Sequence, residues 1–312
     1  VMKTNISLIL ILCLLLGACK NGNASSQSKS ETPQDTIKAI KMPAIPQMMT
    51  APEQRADFLA KHYWDNVNFA DTNYIHHPEV TEQAWADYCD LLNHVPLETA
   101  QQAMRNVIDR TNVDKKVFTY ITDLADKYLY DPNSPMRNEE FYIPVLEAMI
   151  ASPVLNETEK IRPQARLKLA QKNRIGTKAL NFTYTLASGA QGSLYQLKAE
   201  YLLLFINNPG CQACTETIEG LKNAPIINQL LQEKKLVLLS IYPDEELDEW
   251  KKHLSEFPNE WINGYDKKFT IKEEQVYDLK AIPTLYLLDK DKTVLLKDAT
   301  APAIEAYLMQ HQ

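Results

Sequence analysis

The chain has 312 residues, of which 45% are hydrophobic and 23% charged, with a formal charge of −7 and five cysteines. That length suggests two domains, each able to bury a core, rather than one. An acidic balance with no basic cluster argues against nucleic acid as a partner.

Lys3 followed by the apolar run 6–16 reads as a signal peptide, since the run is too short for a membrane span of about 20 residues. Leu16-Gly17-Ala18-Cys19 resembles the bacterial lipobox, which implies cleavage before Cys19 and a diacylglycerol on its thiol. Ordinary secretion with a chance cysteine is the rival reading. A lipid anchor implies an extracytoplasmic, disulfide-permissive compartment on the periplasmic face of a bacterial membrane. Ser, Asn, Gln and Lys dominate 20–36, so 19–44 is assigned as a disordered tether that stiffens near Pro43.

From about 51 to 173 nearly every segment reads as helix, and an all-α domain is assigned to 45–167. The expected helices cover 52–64, 81–92, 96–110, 114–130, 138–150 and 157–172, separated by Pro, Asn and Asp turns, with Thr81 as the N-cap of the second. Cys89 lies in a helical pattern and is expected as a small core residue. Tyr63, Trp64, Phe69, Trp85 and Tyr88 are expected in the core rather than in a ligand cage. His76 and His77 precede Pro78 with no cysteine nearby, and adjacent histidines cannot face one metal from one helix side, so no metal is assigned. The stretches 128–140 and 172–177 resemble an uncharacterised helical domain that precedes thioredoxin-like domains in lipoproteins of Gram-negative anaerobes. That resemblance implies no activity.

From 168 onward strands alternate with helices. The run 201–206 is short, wholly apolar and bounded by turn residues, as in a strand covered on both faces. Asn207 to Gly210 break it. Helical spacing then places Ile218 and Leu221 on one face, which puts Cys211 at a helix N-terminus and Cys214 one turn on, in a C-x-x-C pattern. Unpaired backbone N–H groups and the helix dipole favour a thiolate at Cys211, and the second cysteine is placed to attack a mixed disulfide. Pro225 restarts the helix. A strand over 235–242 and a helix over 247–254 follow, with Asp244, Glu245 and Glu246 complementing the helix dipole. Next come a short helix over 273–279, a hairpin of 285–288 with 294–297, and a closing helix over 302–309.

Asn181 to Leu186, the Gly189/Gly192 turn, Ser193 to Leu197, the cysteine pair and Lys280-Ala281-Ile282-Pro283-Thr284-Leu285-Tyr286-Leu287-Leu288-Asp289 together resemble the thioredoxin superfamily. The nearest group is the membrane-tethered TlpA/ResA-like thiol-disulfide oxidoreductases, over about 176–309. The resemblance implies an α/β thioredoxin-like domain, a central mixed sheet flanked by helices, behind the all-α domain. It implies that Cys211 is the nucleophile and Cys214 the resolving thiol. The peptide bond before Pro283 would be cis and face the pair, so that Pro283, Ile282 and Gly210 hold the substrate. No cofactor is implied beyond a redox-active Cys211–Cys214 disulfide. The partners would be protein thiols and disulfides and an upstream electron donor, with the protein a monomer.

Three departures bear on the chemistry. Phe205 stands six before Cys211, where thioredoxins often carry a buried acid, and Thr217 stands where ResA-like proteins tend to carry Glu. Gln212-Ala213 is neither the Gly-Pro of reductants nor the Pro-His of strong oxidants, so redox direction is not specified. Two rival readings remain. A peroxiredoxin-like peroxidase shares the opening hairpin, but Asn208 stands three before Cys211 where such sites carry Thr. A non-catalytic scaffold with a partner-binding helical half is the other, and the intact pair speaks against it. The helical half has no nucleophile, carboxylate pair or metal set of its own, so it is expected to choose or position the substrate, with a spacer role as the alternative. The short junction 172–177 favours a fixed interface.

Overall fold

The structure is a computed structural model that describes residues 39–311. The expected leader, Cys13, the lipidation site Cys19 and the 20–36 segment lie outside those residues.

Six α-helices build the first half: α1 (Pro52–His62), α2 (Pro78–Leu91), α3 (Leu97–Arg110), α4 (Lys115–Ala125), α5 (Glu139–Ala151) and α6 (Glu157–Ala170). Their starts follow from local chemistry. Proline opens α1 and α2, where its missing N–H costs nothing. Asp114, Asn138 and Asn156 cap α4, α5 and α6 by accepting hydrogen bonds from first-turn N–H groups. Thr81 is not the N-cap of α2. It lies inside the helix, buried, and its hydroxyl donates to the Tyr74 carbonyl at 2.7 Å, because Pro78 starts the helix earlier. Trp64, Trp85 and Tyr88 pack with tilted and edge-on rings into one aromatic core, and Cys89, 2% exposed, belongs to the same core. His77 pairs with Glu79 at 3.1 Å. One π-turn, Asp126–Tyr130, leads into the turn 131–138.

The second half is a seven-stranded mixed sheet flanked by helices. Its elements are β1 (Thr183–Leu186), β2 (Gln191–Ser193), β3 (Tyr201–Ile206), α7 (Gln212–Lys222), α8 (Pro225–Gln232), β4 (Leu236–Tyr242), α9 (Leu247–Lys252), β5 (Ile262–Tyr265), α10 (Thr270–Glu273), β6 (Thr284–Asp289), β7 (Val294–Lys297) and α11 (Ala301–Gln310). The strand order is β2-β1-β5-β4-β3-β6-β7. β3 runs parallel to β4 and antiparallel to β6, which places β3 inside the sheet beside the middle strand β4. Side-chain alternation then sends Leu203 and Phe205 into one core, with Ile218 and Trp261, and Leu202, Leu204 and Ile206 into the other, with Tyr277 and Tyr286.

Two elements differ from the sequence reading. β5 was not foreseen, because Asn263 and Gly264 dilute its apolar pattern. Gly264 is nevertheless what lets β1 approach, since a Cβ there would lie 3.0 Å from a Tyr184 ring carbon and 3.2 Å from the Thr185 carbonyl oxygen. The helix expected over 273–279 instead ends at Glu273. Gln275 adopts φ 50°, and Lys172 donates to the freed carbonyls of Glu274 and Gln275, so 276–282 run on as irregular chain toward Pro283.

The junction is tied down at several points. Gly176 N–H donates to the Val294 carbonyl and Val294 N–H to that of Thr177, so the linker extends the sheet edge. Buried Asn173 bridges Val276 and Leu180 through its side-chain amide. Across the interface Arg174 pairs with Glu140, and Lys297 with Glu139.

Candidate active site

β3 ends at Ile206, and the chain must turn sharply to start α7. Gly210 makes that turn at φ 70°, a left-handed conformation that costs a residue with a Cβ but not glycine. Cys211 is the N-cap of α7, half-buried, and Cys214 follows one turn on at 2% exposure. Opposite them, the Ile282–Pro283 peptide bond is cis, and the Cys211 sulfur lies 3.9 Å from the Ile282 carbonyl oxygen. The Thr284 hydroxyl braces this segment by donating to the Ala281 carbonyl at 2.6 Å. The tertiary fold thus brings Gly210, Cys211, Cys214, Ile282 and Pro283 together.

Burial pushes the Cys214 thiol up. A hydrogen bond from the Asn208 backbone works against that rise, and the neighbouring Cys211 adds to it. One accessible sulfur at a helix N-terminus and one enclosed thiol behind it form an asymmetric pair suited to sequential disulfide exchange.

Phe205, six residues before Cys211, is a ring at 0% exposure, set edge-on to Trp261 at 6.3 Å between centroids. The Thr217 hydroxyl is turned back onto its own helix, donating to the Ala213 carbonyl at 2.8 Å. Neither offers a proton acceptor of carboxylate strength.

Sequence reasoning missed the carboxylate that does reach this loop. Asp244 accepts from the Asn208 side-chain amide at 2.9 Å and pairs with Lys272 at 2.7 Å. Burial raises its carboxyl, but the hydrogen bonds from Lys272 and Asn208 outweigh that and hold it below the usual carboxylate range. Read locally, Asp244 was only part of a helix-dipole acid run. Its partners lie 36 and 28 residues away, so no local pattern could mark it.

Lys280, two residues before Ile282, was also unread. Its ammonium, with a side chain 8% exposed, lies 3.1 Å from Glu139, 3.3 Å from Asp278 and 3.1 Å from Asp298. Burial works against its charge. Asp298, Glu139 and Asp278 more than offset that and hold the ammonium above its ordinary range.

Beside the pair runs an open groove of about 480 Å³. α7 lines it at Ala213, Glu216, Thr217 and Gly220, the floor is 281–285 with 298–302 beside it, and Pro132, Asn133 and Arg137 of the helical half complete the lining. Arg137 donates to the Asp298 carbonyl, which fixes that part of the lining. Among the described residues no three His, Cys, Asp or Glu side chains are grouped to hold a metal, and no helix is long and apolar enough to cross a membrane.

The comparisons agree with this architecture. Residues 18–173 match a domain of unknown function (DUF5106), and residues 199–294 match the thioredoxin-like family. A crystal structure of a thioredoxin-like protein from Bacteroides caccae is 84% identical, with 89% of this chain and 100% of that chain covered and a TM-score of 0.86. The C-terminal domain of an uncharacterized protein from Bacteroides fragilis is 69% identical, covering 44% of this chain and 98% of that one, with a TM-score of 0.43. A conserved protein of unknown function from Bacteroides fragilis is 36% identical over 43% of this chain and 98% of that one, with a TM-score of 0.42. No curated protein matches. The fold and the paired cysteines define a protein of the thioredoxin class. The chain belongs to the thioredoxin-like proteins, here with a DUF5106 domain in front.

Proposed function

We propose that the protein is a membrane-tethered, extracytoplasmic thiol-disulfide oxidoreductase that acts on protein disulfides and thiols. The observation that carries this reading is the placement of Cys211 at the N-terminus of α7, 3.9 Å from the Ile282 carbonyl beside cis-Pro283, with Cys214 enclosed behind it. In the reducing direction the Cys211 thiolate attacks one sulfur of the substrate disulfide. That S–S bond breaks, the first substrate thiolate leaves, and a Cys211–substrate disulfide forms. Cys214 then loses its proton and attacks the Cys211 sulfur, which releases the second substrate thiolate and leaves a Cys211–Cys214 disulfide. Two electrons pass to the substrate, and an upstream donor dithiol restores the pair. The same steps in reverse oxidise a substrate dithiol.

The tether rests on the Lys3 and Cys19 signals of the sequence, which point to the periplasmic face of a bacterial membrane. The pair itself is the redox group, with no other cofactor, and the protein works as a monomer.

The test is dithiol-dependent insulin reduction by wild type, Cys211→Ser and Cys214→Ser, with the reduction potential of the pair measured alongside. Cys211→Ser abolishes turnover, and Cys214→Ser accumulates mixed disulfides at Cys211. Wild-type turnover by Cys211→Ser together with loss in Cys214→Ser would reverse the two roles. The potential separates a reductant from an oxidant or isomerase.

A further inference from the structure

The groove beside the cysteine pair is not built by the thioredoxin-like half alone. Its floor, 281–285, includes Ile282, whose carbonyl lies 3.9 Å from the Cys211 sulfur, and Pro132, Asn133 and Arg137 of the 131–138 turn line it from the helical half. That turn cannot drift. Arg137 holds the Asp298 carbonyl, and Glu139, the first residue of α5, pairs with both Lys280 and Lys297.

α7 contributes Ala213, Glu216, Thr217 and Gly220 to the groove, so small side chains and one exposed carboxylate line that wall. A Cβ added at Gly220 would meet nothing closer than the Ala301 Cβ at 3.9 Å, so the helix backbone is not pressed against its neighbour there. The position of the groove also limits what can use it. A small disulfide ends within a few atoms of its sulfur and touches only the Ile282 end. A polypeptide joined to Cys211 through its own cysteine continues past Pro283 and over the 131–138 turn.

We propose that an extended segment of the substrate protein lies in this groove, so that the helical domain reads the residues flanking the disulfide under attack. This rests on the reading of Cys211 and Cys214 as an exchange pair. Asn133, exposed, and Thr217, half-buried, line the groove from the two halves and are then specificity-determining positions.

The full chain carrying Cys214→Ser tests this, because its mixed disulfides persist and their formation at Cys211 can be timed by mass. Second-order rate constants are measured with insulin and with bis(2-hydroxyethyl) disulfide. Placing a ring in the groove with Asn133→Trp lowers the insulin-to-small-disulfide rate ratio at least fivefold, and Thr217→Trp does the same from α7. An unchanged ratio in both variants overturns the proposal, whether or not the two rates fall together. A fall with Thr217→Trp alone removes the helical domain from the site and overturns it as well. A ratio that rises assigns the groove to small disulfides instead. If the Cys214→Ser parent forms no mixed disulfide with either probe, the exchange reading fails before any groove residue is changed, and the proposal falls with it.

Discussion

The Lys280 ammonium lies 3.1 Å from a carboxylate oxygen of Glu139, an ion pair that ties the segment leading to Pro283 to the start of α5 in the helical half. Lys297 shares the same carboxylate, and its side chain is only 6% exposed. Glu139→Ala leaves Lys297 with backbone carbonyls alone and Lys280 with two of its three carboxylates. The expected cost is about 3 kcal/mol, at the low end for breaking a buried pair because Asp278 and Asp298 remain. Urea denaturation measures it. A cost below about 1 kcal/mol would mean that the remaining carboxylates suffice.

Cys211 is the accessible thiol, whereas Cys214 and Cys89 are each 2% exposed. At neutral pH iodoacetamide should therefore modify Cys211 faster than the other two by on the order of a hundredfold. Peptide mass mapping over time reads the order directly. Equal rates at Cys211 and Cys214 would contradict the asymmetry of the pair.

The raised Cys214 thiol has a stability consequence of definite sign. A group that holds its proton more tightly when folded contributes fully below its unfolded pKa, and that contribution is lost as pH climbs toward the folded value. The reduced protein should thus lose stability above pH about 8.5, by up to about 1.4 kcal/mol per pH unit from this group. Buried tyrosines add to the slope at higher pH, so the comparison is with Cys214→Ala, whose curve should be flatter from pH about 8.5 to 10. Parallel curves would show that burial does not raise this thiol.

Phe205 stands six residues before Cys211, where related sequences often carry an acid, and it packs on Trp261 in the core that also holds Ile218 and Leu221 of α7. Phe205→Ala should cost about 3–5 kcal/mol in chemical denaturation. A cost under about 1 kcal/mol would mean that the core collapses around the cavity and that the ring is not a structural element of the site.

A fragment of residues 168–312 should fold, because it holds all seven strands of the sheet and the apolar cores on both of its faces. It should exchange with a small disulfide yet show the reduced insulin-to-small-disulfide ratio expected of the groove variants. A ratio equal to that of the full chain would leave the helical half as a spacer.

Much of this was legible along the chain because it depends on neighbours. The apolar run 201–206, short and bounded by turn residues, reads as a buried strand, and in the fold it pairs on both edges. The turn at Gly210, the helix start at Cys211 and the hairpin of β6 with β7 follow from local conformational preference. Thr81 and the 273–279 segment show where that reading fails: several residues can start or prolong a helix, and a proline or a left-handed residue nearby decides which one does.

What the local pattern could not carry are pairings between residues far apart in the chain. Asp244 with Asn208, Lys280 with Glu139, and Arg137 with Asp298 each join segments that look like ordinary solvated polar stretches when read singly. The chain alone determined that two cysteines stand one helical turn apart at the end of a buried strand. Only the tertiary structure decided that the helical half reaches the edge of that site, because a buried ion cluster forms only where folding removes its charges from water together and lets each find its partner.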